Sequence, residues 1–206
     1  MNDEFKDVEI SLKVSENYSS LSAISNDLKN IVLICDNALK LGDSFEDKIS
    51  IDALGVAAVI KYNRCFHGGK RKSLSEEDLS NFSVEELECH QYFKAYRDKH
   101  MAHAINKYEH CQIRCSVRIS DRGHEASNFS ANFNQVCLSK ANIQVIKQLA
   151  NKVRLVVEEK KYLEEKCLKK HIASLSNDEI NQLKPFKARQ IKVGLEHVLP
   201  KKRVKA

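Results

Sequence analysis

Leu21-Ser22-Ala23-Ile24-Ser25-Asn26-Asp27-Leu28-Lys29-Asn30-Ile31-Val32-Leu33-Ile34-Cys35-Asp36-Asn37-Ala38-Leu39 repeats its apolar side chains at steps of three and four. Leu21, Ile24, Leu28, Ile31, Val32, Cys35, Ala38 and Leu39 therefore share one side of a helix, the signature of an amphipathic element resting on a core. The spacing predicts a helix from Glu16 to Leu41, with Gly42 as its stop. Further along, Ile51, Leu54, Val56, Ala57, Val59 and Ile60 predict a second, broadly apolar helix from about Ser50 to Phe66, ended by Gly68-Gly69 and suited to the centre of a bundle. Ser75-Glu76-Glu77-Asp78 reads as a short helix start. Ser83-Val84-Glu85-Glu86 reads as a capped one, opening a helix that runs on through Arg97 to His103.

After Lys107 the period changes. Ile113, Cys115, Val117 and Ile119 alternate with Gln112, Arg114, Ser116 and Arg118, and a second run from Asn128 to Leu138 follows Asp121-Arg122-Gly123-His124, which predicts a β-hairpin at about 110–138. Cys111 and Cys115 fall on one face of that strand, where buried thiols would pack as small apolar groups. Helical spacing returns from Ala141 to about Ile172, and Ser176-Asn177-Asp178-Glu179 opens a last short helix that ends before Pro185. The fold class is thus mainly α: a bundle of four to five helices with an inserted β-hairpin. Residues 1–15 form an N-terminal arm or edge strand, 16–184 the helical domain, and 185–206 a basic tail with room for a final strand at Gln190 to Val193.

Composition narrows the functional classes. The chain has 206 residues, 42% hydrophobic and 30% charged, with no Trp, two Pro and six Gly, which suits long helices better than a turn-rich sandwich. The formal net charge of +6 is compatible with a polyanionic partner. Seven cysteines without a CxxC pair, and an opening Met1-Asn2-Asp3-Glu4 unlike a signal peptide, point to reduced thiols in a cytoplasmic protein. Apolar runs such as Ile31 to Cys35 and Ala53 to Ile60 fall well short of the about 20 residues a membrane span needs, so no membrane partner is expected. His110-Cys111 with Cys115, and Cys89-His90 upstream, have poor zinc spacing; no metal or cofactor is expected.

Tyr96-Arg97-Asp98-Lys99-His100-Met101-Ala102-His103-Ala104 concentrates a guanidinium, a carboxylate and two imidazoles in two helical turns. Arginine can fork onto two phosphate oxygens, and an imidazole gives or takes a proton near neutrality. On a regular helix, Arg97 and His103 are separated by about 9 Å of rise and about 120° of rotation. They converge only through the long arginine side chain or across a dimer. His100 lies nearer the Arg97 face and is an alternative or auxiliary imidazole.

Arg97, the polar Asp98, four residues and His103 resemble the Arg, polar residue, spacer, His pattern of the HEPN superfamily. Tyr62-Asn63-Arg64-Cys65-Phe66-His67-Gly68-Gly69-Lys70-Arg71 is similar, more loosely, to the helix end and Gly-containing turn of some members. The resemblance spans roughly residues 20–170, and the hairpin is a feature that a bare bundle of this type does not require. It implies a compact, commonly homodimeric bundle that cleaves RNA without a metal, with Arg97 on the scissile phosphate, His103 as general base or acid and Asp98 as orienting group. It further implies a toxin or defence effector restrained by an antitoxin or regulatory protein, or else a catalytically silent module that binds RNA or protein. Near such a cleft, Lys70, Arg71 and Lys72, with Arg64, would guide RNA, although the glycine turn lacks Walker spacing and also reads as a solvated helix end. The bland alternative for the motif itself is an ordinary helix face, with Arg97 and Asp98 in structural ion pairs.

Overall fold

The computed structural model describes residues 6–69, 71–98, 109–121 and 123–187. Among them are α1 (Leu12–Lys40), α2 (Phe45–Arg64), a 3-10 turn (Glu76–Leu79), α3 (Val84–Tyr96), β1 (Glu109–Ser120), β2 (Gly123–Gln135), α4 (Lys140–Ala173) and α5 (Asn177–Gln182). The architecture is mainly helical with one two-stranded antiparallel sheet.

Helices α1 and α4 form the most extended pairing. They run antiparallel, as the pairs Asn17–Glu164 and Asp36–Lys147 show at opposite ends of the contact. Ile24, Leu28, Ile31 and Cys35 of α1 are buried with Ile143, Ile146, Val153 and Val157 of α4 in one core. Burying each large aliphatic chain contributes about 1.5–3 kcal/mol, which makes this seam the main source of stability.

Helix α2 packs chiefly on α1 and meets α4 more narrowly. Only one side of it is buried, through Ile51, Gly55, Ala58, Val59 and Tyr62, while Ile49 and Ile60 are exposed. Helix α2 touches α1, α4 and α3, as a central helix of the bundle does, while its apolar excess leaves some side chains in water. At Gly55 the approach is close, since a Cβ there would lie 2.8 Å from Ile143 Cδ1 and 2.9 Å from Leu138 Cδ1.

The serines before α3, α4 and α5 act as N-caps. Ser83 Oγ accepts from the Glu86 amide while Glu86 Oε2 accepts from the Ser83 amide at 2.8 Å, and Ser139/Asn142 and Ser176/Glu179 repeat the reciprocal pair. Each cap satisfies orphan amides of a first turn and is worth about 1 kcal/mol. At the N-terminus, α1 begins at Leu12, four residues earlier than the spacing predicts, and Val8 bridges Pro185. The Glu9 amide donates to the Lys184 carbonyl at 2.8 Å, and the Phe186 amide to the Asp7 carbonyl at 3.0 Å. The expected strand at Gln190 to Val193 lies outside the described residues.

In the hairpin, Cys111 faces Phe133, Cys115 faces Phe129 and Val117 faces Ala126, with a bulge after Ser116. Gly123 closes the turn at φ +121°, a region that favours glycine. Every described residue from Cys111 to Phe133 is exposed. Cys111 and Cys115 are therefore solvent-facing rather than buried, because the hairpin's extensive contacts are between its own two strands.

Candidate functional site

The end of α3 carries the first half of the Arg and His motif. Tyr96 is still buried, and beyond it the chain widens into a π turn at Arg97 and Asp98. Arg97 Nη1 donates to Asp98 Oδ1 at 2.7 Å, and both side chains are about half exposed. That bond is the main reason the Asp98 carboxyl sits below its usual range; the charges of Arg97, His67 and Lys94 act in the same direction, against the burial penalty. His100 and His103 lie outside the described residues.

The C-terminal ends of α2 and α3 meet at this place. Buried Asn63 donates through Nδ2 to the Phe93 carbonyl at 3.2 Å and to the Val59 carbonyl at 3.0 Å, tying the two helices together. Phe66 stands edge-on to the His90 ring at 4.7 Å. His90 is buried, with Nδ1 3.0 Å from Tyr62 Oη and Nε2 without a hydrogen-bond partner among the described residues. Burial, ahead of the nearby Lys94 charge, pushes its pKa down, so it sits as a neutral structural imidazole.

His67 is the imidazole that sequence reasoning quoted without assigning a role. Its Nδ1 is 2.9 Å from the Asn63 carbonyl, an acceptor only, so Nδ1 carries the proton of that bond. A histidine just past a helix end, beside Gly68-Gly69, was a legible signal for a side chain presented at a helix terminus.

The expected RNA-guiding residues separate into different environments. Arg71 donates through Nη2 to Asp27 Oδ2 at 2.8 Å and to the Arg64 carbonyl at 3.3 Å. Lys61 and Arg64 approach the same carboxylate at 3.8 and 3.9 Å. Asp27 is buried on α1 between core positions Ile24, Leu28 and Ile31, and a carboxylate at that helical spacing was the available sign of a buried ion-pair centre. Lys72 is occupied by Asn17 and Glu16, Arg64 remains mostly exposed, and Lys70 lies outside the described residues. Neither Gly68 nor Gly69 takes a positive φ, and a Cβ at either would meet nothing, so this turn does not form the alternating nest that cradles phosphate.

Other chemistries find less support in the described residues. Burial, with Asp36 beside Cys35 and Asp27 near Cys65, pushes both thiols up to about 12, so neither is a thiolate nucleophile. No three His, Cys, Asp or Glu side chains among the described residues converge as metal ligands. No helix among them is long and apolar enough to cross a membrane. A groove of about 380 Å³ between α1, the loop at Lys72 and α4 has polar groups bonded to one another, Lys160 with Asp78 and the Asn17 amide with Glu164. Compared with models of known protein families, with curated proteins and with solved structures, the chain matches none.

Proposed function

We propose that this chain is a metal-independent endoribonuclease of the HEPN type, with Arg97, Asp98 and His103 at its centre and His100 as auxiliary. The observation that carries the reading is the half-exposed Arg97 guanidinium at the end of α3, held by Asp98, with the two further imidazoles following in sequence. A base takes the proton of an RNA 2′-hydroxyl, the freed oxygen attacks the adjacent phosphorus, and an acid protonates the departing 5′-oxygen. Arg97 neutralises the charge gathering on the phosphoryl oxygens. The products are a 2′,3′-cyclic phosphate and a 5′-hydroxyl, and DNA, lacking the attacking group, is not a substrate. Acting as a toxin or defence effector, such an enzyme arrests growth on expression unless an antitoxin or regulatory partner restrains it.

A second reading, a catalytically silent module that binds RNA or protein, is favoured by one observation: Arg97, Arg71 and Lys72 all have carboxylate partners already. Incubation of cellular RNA in EDTA with wild type and with an Arg97→Ala/His103→Ala double variant separates the two. Cleavage by wild type alone, leaving cyclic phosphates, supports the nuclease. Equal cleavage by both proteins refutes the site, and retained RNA affinity without cleavage supports the binding module.

A further inference from the structure

We propose that the apolar face of the β1–β2 hairpin is the surface through which two copies of this chain associate. The proposal stands apart from the nuclease reading, since no residue of the 97–103 segment enters it. In an antiparallel pair, residues opposite one another project from the same face, and successive residues alternate between faces. The register therefore collects Ile113, Val117, Ile119, Phe129 and Phe133 on one side, together with Cys111 and Cys115. Arg114, Arg118 and Glu125 stand on the other.

The apolar side is uncovered. Ile113 is 67% exposed, Val117 53%, Ile119 77%, Phe129 67% and Phe133 75%. With about 200 Å² for a phenylalanine and about 100 Å² for an aliphatic chain, these five alone present about 500 Å² of apolar surface. That is near the upper end of the largest patch an ordinary monomer shows, about 300–600 Å². Two such faces closed on each other bury about 1,000 Å², the lower bound for a specific interface.

The composition of the face selects its occupant. An isologous contact sets the same patch against itself, so a charged patch would repel its copy. Among the described residues from Cys111 to Phe133 this face carries no Lys, Arg, Asp or Glu; by register Glu109 joins it at the hairpin root and His124 at the tip.

Sedimentation velocity on the full chain at about 50 µM, above the micromolar affinities that interfaces of this size reach, tests the idea. The wild type is expected at twice the 23.5 kDa chain mass, and a Phe129→Ser/Phe133→Ser variant at the monomer mass with unchanged helical circular dichroism. Ile113→Thr/Ile119→Thr, which keeps β-branched residues in the strand and so preserves the hairpin, is expected to be monomeric too. Arg114→Ser/Arg118→Ser, on the opposite face, is expected to remain a dimer. A monomeric wild type, a dimer that survives both apolar-face variants, or a dimer lost in the arginine variant overturns the proposal.

Discussion

Asp27→Asn removes one charge from the buried centre where α1, the end of α2 and the following loop are tied together. Asp27 has a side chain 10% exposed and Arg71 one 25% exposed, so their 2.8 Å bond is shielded enough to count. A charge-assisted bond of this kind is worth about 1.5–3 kcal/mol. Lys61 and Arg64, longer and more exposed, add less than about 1 kcal/mol each. Asparagine keeps the shape and one acceptor oxygen, which returns about 1 kcal/mol of neutral hydrogen bonding. The net loss is about 2 kcal/mol, or about 4–8 °C in melting temperature for a chain of this size. Urea and thermal unfolding of wild type, Asp27→Asn, Arg71→Ala and the double variant measure it. The two single changes should be strongly non-additive, because either one breaks the same bond. A loss below about 0.5 kcal/mol for both single variants, or simple additivity in the cycle, would show that the Asp27 centre is a screened surface contact and sink this account of the loop.

Three further outcomes are expected. Gly55→Ala gains about 1 kcal/mol of helix propensity but forces a methyl against Ile143 and against Leu138, whose Cβ at 3.1 Å yields little; overpacking of about 1–3 kcal/mol leaves a net loss of about 1 kcal/mol, and a stabilised variant in urea would contradict it. Ser83→Ala should cost about 1 kcal/mol by removing the cap of α3, read as a lower urea midpoint with unchanged slope. His90, whose pKa burial holds below the unfolded value of about 6.5, contributes stability that is present above that pH and lost as pH falls through it toward the folded value. Unfolding series at pH 7.5 and 5.5 should show this loss in wild type and a smaller one in His90→Phe; identical slopes would remove His90 as its source.

Much of the bundle was legible because its seam is periodic. The apolar residues of α1 and α4 repeat at three and four, and the buried set follows that repeat from Ile24 to Ala38 and from Ile143 to Val157. The serine caps were legible for the same kind of local reason. Helix α2 read as broadly apolar, but apolar content alone does not say which face a neighbour covers, and Ile49 and Ile60 are exposed. The cysteines of β1 misled similarly: alternation marks a strand with two unlike faces, but burial of the apolar face needs another layer, and none of the described elements supplies one. In the candidate site, Arg97 and Asp98 were singled out by spacing, and the two side chains are bonded to each other. The partners of Asp27 and Asn63 lie 44 and 30 residues away, which no local pattern encodes.

The same contacts refine what the basic residues near the two helix ends do. Lys61 and Arg64 lie in the last turn of α2, and Lys94 in the last turn of α3, where unsatisfied carbonyls make the helix end negative. Cations are stabilised there before any ligand arrives. Lys94 is also bonded to Glu76 at 2.9 Å, Arg71 to Asp27 and Arg97 to Asp98, so three of these side chains are neutralised in pairs. A phosphate reaching this locality must compete with carboxylates already in place. The competition is uneven: Asp27 is buried and holds Arg71 in the fold, whereas Asp98 is half exposed and shares its turn with Arg97. Of Arg71 and Arg97, Arg97 is therefore the one whose release leaves the bundle intact. A guanidinium that is positioned by a carboxylate yet recoverable from it suits the transient phosphate contact that the proposed function asks of Arg97, whereas the burial of Asp27 suits Arg71 to a structural role.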